Sequence, residues 1–138
     1  EPFLSYKNKG VFVLCLTSNP GSNDFQKNIY NSNHLFINVL NKLKELDNRN
    51  VGIVVGATQE KDMQLVRDTA PLMPWLIPGI GKQGGNLDIS VNLGNKNGSF
   101  GIINVSRDVL YYKDSTEDDI KSRADYYHKK IKKILDNG

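Results

Sequence analysis

Four short runs of the chain are apolar almost throughout: residues 11–16, 51–55, 75–77 and 101–105. They do not alternate with polar residues, as a strand with one wet face would, so they predict parallel strands covered on both faces. Between them the spacing changes to that of helices. Leu35, Phe36, Val39, Leu40, Leu43 and Leu46 make an i, i+4, i+8 stripe, with Ser32 placed to cap it. Thr58 is placed to cap a second helix presenting Met63, Val66 and Ala70, which the pair Ala70-Pro71 ends. Thr116 is placed to cap a last helix carrying Ile120, Ala124, Tyr127, Ile131 and Ile134. The third strand is followed by a glycine-rich loop and a short helical candidate at 87–93. The order β-α-β-α-β-(α)-β-α predicts an α/β fold with parallel strands, organised as one domain over residues 1–138. Two architectures fit, a small open doubly wound sheet and four consecutive units of an eight-unit barrel. Periodicity does not separate them.

In both architectures ligands bind at the carboxyl ends of the strands. Those ends read Thr17-Ser-Asn-Pro-Gly21, Gly56-Ala-Thr58, Pro78-Gly-Ile-Gly-Lys-Gln-Gly-Gly85 and Ser106-Arg-Asp108. They are small, polar and glycine-rich. Amides freed by glycine, with an amide side chain and a guanidinium nearby, suit an anion. The planar fork of arginine donates two hydrogen bonds at once, which suits phosphate. Gln83 and Arg107 are therefore candidates for two contacts on one phosphate. The bland reading stands beside it: the glycines form a tight turn and Arg107 is a surface ion-pair partner. The run Gly79 to Gly84 matches G-x-G-x-x-G but lacks the long helix that a dinucleotide fold requires after it.

Charge and cysteine content change this picture little. The net charge is +3, from 18 basic and 15 acidic side chains, too small an excess to indicate nucleic acid. Much of it sits in the last helix, acidic at its start and basic at its end, as the helix dipole favours. The single cysteine, Cys15, lies in an apolar run and reads as a small buried hydrophobe. With no disulfide, no stretch of the roughly 18 apolar residues a membrane span requires, and no signal-like start, a cytoplasmic, soluble protein is expected. His34 and His128 fall in predicted helices without ligand-spaced neighbours, so no metal site is expected. The opening Glu1-Pro-Phe-Leu, without an initiator methionine, suggests a start inside a longer protein.

The strand ends also carry a resemblance. Leu16-Thr-Ser-Asn-Pro-Gly21, Val54-Val-Gly-Ala-Thr58, Leu76-Ile-Pro-Gly-Ile-Gly-Lys-Gln-Gly-Gly85 and Asn104-Val-Ser-Arg107 resemble four successive motifs of orotidine 5'-monophosphate decarboxylases, in particular their longer bacterial subtype. The resemblance implies strands five to eight, the C-terminal half, of a (β/α)8 TIM-type barrel. It implies that Gln83 and Arg107 hold the 5'-phosphate of the nucleotide, with backbone amides of Gly84, Gly85 and Ser106 nearby. Ser18 would bond the pyrimidine edge, and Pro78 and Ile80 would line the apolar side of the base pocket. Ser106 departs from relatives with glycine before the arginine.

The larger departure is an absence. The family's D-x-K-x-x-D motif does not occur here; Asp119-Ile-Lys121 begins like it, but Ala124 stands at the last carboxylate position. The resemblance thus implies a carboxy-lyase converting orotidylate to UMP, without metal or organic cofactor, whose catalytic lysine lies on the N-terminal half of the barrel. This chain alone is expected to be inactive. A homodimer is the expected assembly. The alternative is a noncatalytic phosphate-binding half-barrel that associates with itself.

Overall fold

The computed structural model describes residues 2–6, 8–46 and 50–137. Glu1 and Gly138, the ends of the expected domain, lie outside the described residues. Apart from two short 3-10 turns, the elements in chain order are β1 (Val11–Leu16), α1 (Ser22–Phe25), β2 (Ile29–Tyr30), β3 (Asn33–His34), α2 (Leu35–Lys44), β4 (Val51–Val55), α3 (Glu60–Thr69), β5 (Trp75–Pro78), α4 (Leu87–Gly94), β6 (Gly101–Asn104), α5 (Arg107–Leu110) and α6 (Glu117–Asp136). The four apolar runs become β1, β4, β5 and β6; the third extends to Pro78 and the fourth stops at Asn104.

These four strands form one parallel sheet whose spatial order, β1-β4-β5-β6, follows the chain. That order decides between the two architectures. A doubly wound sheet reverses its strand order at a switch point and carries helices on both faces. Here the order never reverses, and the helices cover one face. Ile53, Val55, Trp75 and Ile77 point into the helix layer and are fully buried against Phe36, Leu40, Met63 and Val66. The opposite face presents the register row Leu14, Val54, Leu76 and Ile102, in which Leu14 is 65% and Ile102 44% exposed. Apolar side chains on the face away from the helices are what the inside of a barrel requires. The sheet is four consecutive βα units of a barrel.

Helix boundaries differ from the expected ones where a side chain found a better partner. Ser32 does not cap α2; it takes φ 66° in the turn between β2 and β3, and His34 is the N-cap, without a side-chain cap bond. His34 therefore lies before the helix, not in it, and its Nδ1 sits 2.6 Å from the Lys27 carbonyl. The buried face of α2 is Phe36, Ile37 and Leu40, while Leu35 and Leu46 remain exposed. Thr58 does not cap α3, because its hydroxyl donates to the Ser18 carbonyl at 2.7 Å. Thr116 does cap α6, accepting from the Asp119 amide at 3.2 Å. Of the expected apolar positions on α6 only Tyr127 is buried. Trp75 lies fully buried in the helix layer.

Arg67 is fully buried on α3 without a carboxylate partner among the described residues. Its Nε donates to Leu93 O at 2.8 Å, Nη2 to Gly94 O at 3.0 Å, and Nη1 to Met73 O at 2.9 Å and Pro71 O at 3.1 Å. One guanidinium thus satisfies the carbonyl end of α4 and the turn before β5, where helix geometry leaves acceptors free. Burial lowers its pKa to about 10, which still leaves it charged at neutral pH. Among the described residues, no helix is long and apolar enough to cross a membrane.

Candidate functional site

The strands deliver four loops to one end of the sheet, and each loop is held by contacts that its own sequence supplies. The loop after β1 is fastened from below. Gln59, buried at the start of α3, donates from Nε2 to Thr17 O and to Ser22 Oγ, both at 2.9 Å. Gln26 Oε1 accepts the Thr17 amide at 2.8 Å, and Thr58 holds the Ser18 carbonyl. The backbone of Ser18 also lies so close to Gly56 that a Cβ there would meet the Ser18 nitrogen at 2.4 Å. Ser18 is consequently fixed in position, and its hydroxyl has no hydrogen-bond partner among the described residues.

The loop after β5 is a closed turn. Gly84 N donates to Gly81 O at 2.8 Å and Gly85 N to Gly79 O at 3.0 Å, which puts Gln83 in the third position of a four-residue turn. The amides of Gly84 and Gly85, read from sequence as candidate donors, are thus engaged within the loop. The next residue, Asn86, caps α4 by accepting the Ile89 amide at 3.1 Å.

Three of the candidate residues come together. Ser18, Gln83 and Arg107 line one cleft of about 630 Å³, together with Asn19, Asn23, Lys27, Thr58 and Gln59. Gln83 Oε1 and Ser18 Oγ converge over Gly79: a Cβ built there would lie 3.2 Å from the first and 3.4 Å from the second. Among the described residues the side chains of Gln83 and Arg107 have no hydrogen-bond or ion-pair partner. Arg107, exposed, is thus not the surface ion-pair residue that the bland reading offered. Lys27, by contrast, is paired with Asp62 at 2.8 Å.

The other candidates lie outside the lining of this cleft. Pro78 is half-buried at the end of β5, and Ile80 is packed into the core at 6% exposure. Ser106 is exposed, and its hydroxyl donates to Asn104 Oδ1 at 3.1 Å. Lys82 is exposed beside Gln83.

Sequence reasoning missed the cluster behind the cleft. The Asp108 carboxylate accepts from Arg123 Nε at 2.9 Å, Arg123 Nη2 at 2.5 Å and Tyr127 OH at 2.5 Å. The Tyr127 hydrogen bond first, and then the hydrogen bonds and charge of Arg123, hold Asp108 below the usual carboxylate range. Burial, with the same hydrogen bond, pushes Tyr127 up to about 12. Only the position of Asp108 directly after Arg107 hinted at this cluster; its partners are 15 and 19 residues away.

Comparison with known proteins follows the same lines. Residues 3–118 match the family described as orotidine 5'-phosphate decarboxylase / HUMPS. An orotidine 5'-phosphate decarboxylase of Dehalococcoides mccartyi (strain CBDB1) is 46% identical over 123 residues, covering 85% of this chain and 46% of that protein. The chain therefore spans about half the length of the curated relatives it matches. Among solved structures, the OMP decarboxylase of Leishmania donovani superposes with a TM-score of 0.83 at 37% identity, covering 96% of this chain and 50% of that one. The UMP synthase of the same organism gives a TM-score of 0.83 at 39% identity, covering 96% and 29%.

Proposed function

The chain belongs to the orotidine 5'-phosphate decarboxylase / HUMPS family, and on that premise we propose that it is the phosphate- and base-binding half of an orotidine 5'-monophosphate decarboxylase. In this reading residues 1–138 form the C-terminal half of a (β/α)8 barrel that converts orotidylate to UMP. Arg107 donates its fork to the 5'-phosphate and Gln83 donates its amide to the same group. Ser18 bonds the pyrimidine edge, with Pro78 and Ile80 backing the base and the loops of Gly84, Gly85 and Ser106 enclosing the phosphate. The observation that carries the reading is the convergence of Ser18, Gln83 and Arg107 on one cleft, the last two without a side-chain partner among the described residues. A volume of about 630 Å³ is within the range that small ligands occupy.

Loss of the C6 carboxylate as carbon dioxide leaves an electron pair at C6, which a lysine must stabilise and protonate. This chain carries no D-x-K-x-x-D motif, so that lysine belongs to an N-terminal half covering the exposed row of Leu14 and Ile102. What this half contributes is binding energy from the phosphate, remote from the reacting carbon and available to stabilise the transition state.

The test is orotidylate turnover by the complete protein carrying this segment. Arg107→Ala and Gln83→Ala should each reduce kcat/KM by about 10- to 100-fold, the value of a charge-assisted or buried hydrogen bond. Unchanged turnover in both variants would sink the reading. The exposed inner face favours one other reading, a half-barrel that pairs with itself and catalyses nothing. It predicts that the complete protein does not decarboxylate and that this chain sediments as a dimer.

A further inference from the structure

We infer that Asp108, gripped by Arg123 and Tyr127 of α6, is a positioning residue that sets Gln83 and Arg107 at the separation one phosphate requires. The inference rests on the phosphate reading of the site. Asp108 stands between the two loops that carry these residues. It follows Arg107 on α5, so its fixation fixes the backbone from which the guanidinium extends. It also touches the glycine loop: a Cβ built on Gly81 would meet Asp108 Cβ at 2.6 Å and Tyr127 OH at 3.0 Å. Gly81 in turn accepts the bond that closes the turn holding Gln83. The two phosphate contacts, on different loops, are therefore referenced to one carboxylate.

That carboxylate is itself immobilised. Three donors from α6 meet one oxygen, Oδ2, in a part-buried position. Arg123 is braced further by the rings of Tyr126 at 4.4 Å and Tyr112 at 4.9 Å. A two-point charge-assisted bond with its cation held by aromatic faces is far stiffer than a lone surface pair. Arg123 and Tyr127 lie beyond residue 118, where the family match ends. Geometry of this kind matters because a misplacement of about 1 Å by a distant residue is enough to cost about 100-fold.

The experiment measures binding of uridylate and of uridine to the complete protein by calorimetry, so that the phosphate is the only difference between ligands. Asp108→Asn should weaken uridylate about tenfold or more and leave uridine within about twofold. Tyr127→Phe, which removes one hydrogen bond and no charge, should weaken uridylate to a lesser degree with the same selectivity. Arg123→Lys should retain more uridylate affinity than Arg123→Ala, since it keeps the cation. Should Asp108→Asn fail to fold, the Tyr127→Phe and Arg123 pair decide the matter. Uridylate binding unchanged in these variants, or uridine weakened as much as uridylate, overturns the positioning role while Arg107→Ala still shows the phosphate site. If Arg107→Ala and Gln83→Ala also bind uridylate normally, the site reading and this inference fall together.

Discussion

The guanidinium of Arg67 lies 3.9 Å over the ring of Trp75 while its nitrogens hold the carbonyls that end α4. A buried cation is tolerable here because backbone acceptors and an aromatic face replace its water. Arg67→Ala would strand at least three carbonyls and empty the space beneath Trp75. The expected loss is at least about 3 kcal/mol, read from urea unfolding of the chain. Arg67→Lys, with a point charge in place of a fork, should recover only part of it.

Gln59 predicts a more local effect. Its amide supplies the Thr17 carbonyl and the Ser22 hydroxyl from a position 8% exposed. Gln59→Ala should destabilise by about 1–3 kcal/mol, the cost of a buried acceptor left unmet. It should also loosen the loop after β1, seen as faster amide exchange at Ser22 and Gln26 than in the parent chain.

Gly81 sits at φ +79° with Asp108 and Tyr127 directly against it. Alanine there meets both a left-handed backbone and a carbon at 2.6 Å. Gly81→Ala should cost about 1–3 kcal/mol. Gly84→Ala, at the same φ but with open space around it, should cost only the backbone part, about 1 kcal/mol. Equal melting temperatures for the two variants would show that the contact with Asp108 does not exist.

The depressed pKa of Asp108 sets a pH dependence of known sign. The group is acidic and its folded pKa lies below its ordinary value of 3.8, so the stability it contributes is complete above that value. It is lost as pH falls through the folded pKa. Arg123 and Tyr127 face the carboxylate from α6 and Lys82 from the glycine loop; all three favour the ionised form. Stability of the parent chain should therefore fall below about pH 4 more steeply than that of Asp108→Asn. Parallel acid limbs in the two denaturation curves would contradict the assignment.

What the amino-acid order determined by itself were the features that depend on near neighbours. Strands β1 and β4 begin and end where the apolar runs do, because unbroken Val, Ile and Leu have no polar edge to shift. Thr116 caps α6 because the amide it accepts is three residues away. The strand ends offered Gln83 and Arg107 as phosphate candidates beside a plain turn-and-ion-pair reading, and the family resemblance added Ser18; only the folded chain brings the three to one cleft. Tertiary structure decided what depends on distance along the chain. Thr58 and Ser32 have the chemistry of caps, yet one is taken by the Ser18 carbonyl 40 residues away and the other by a hairpin turn. The hairpin of β2 and β3, two residues in each strand and neither strand buried, leaves no apolar period to read. Doubly wound sheet and barrel share one periodicity and differ in strand order and in which faces the helices cover, and both are decided by the tertiary structure. Arg67 is buried and Asp108 gripped through partners that include residues 26 to 32 positions away for the first and 15 and 19 for the second, which no local pattern announces.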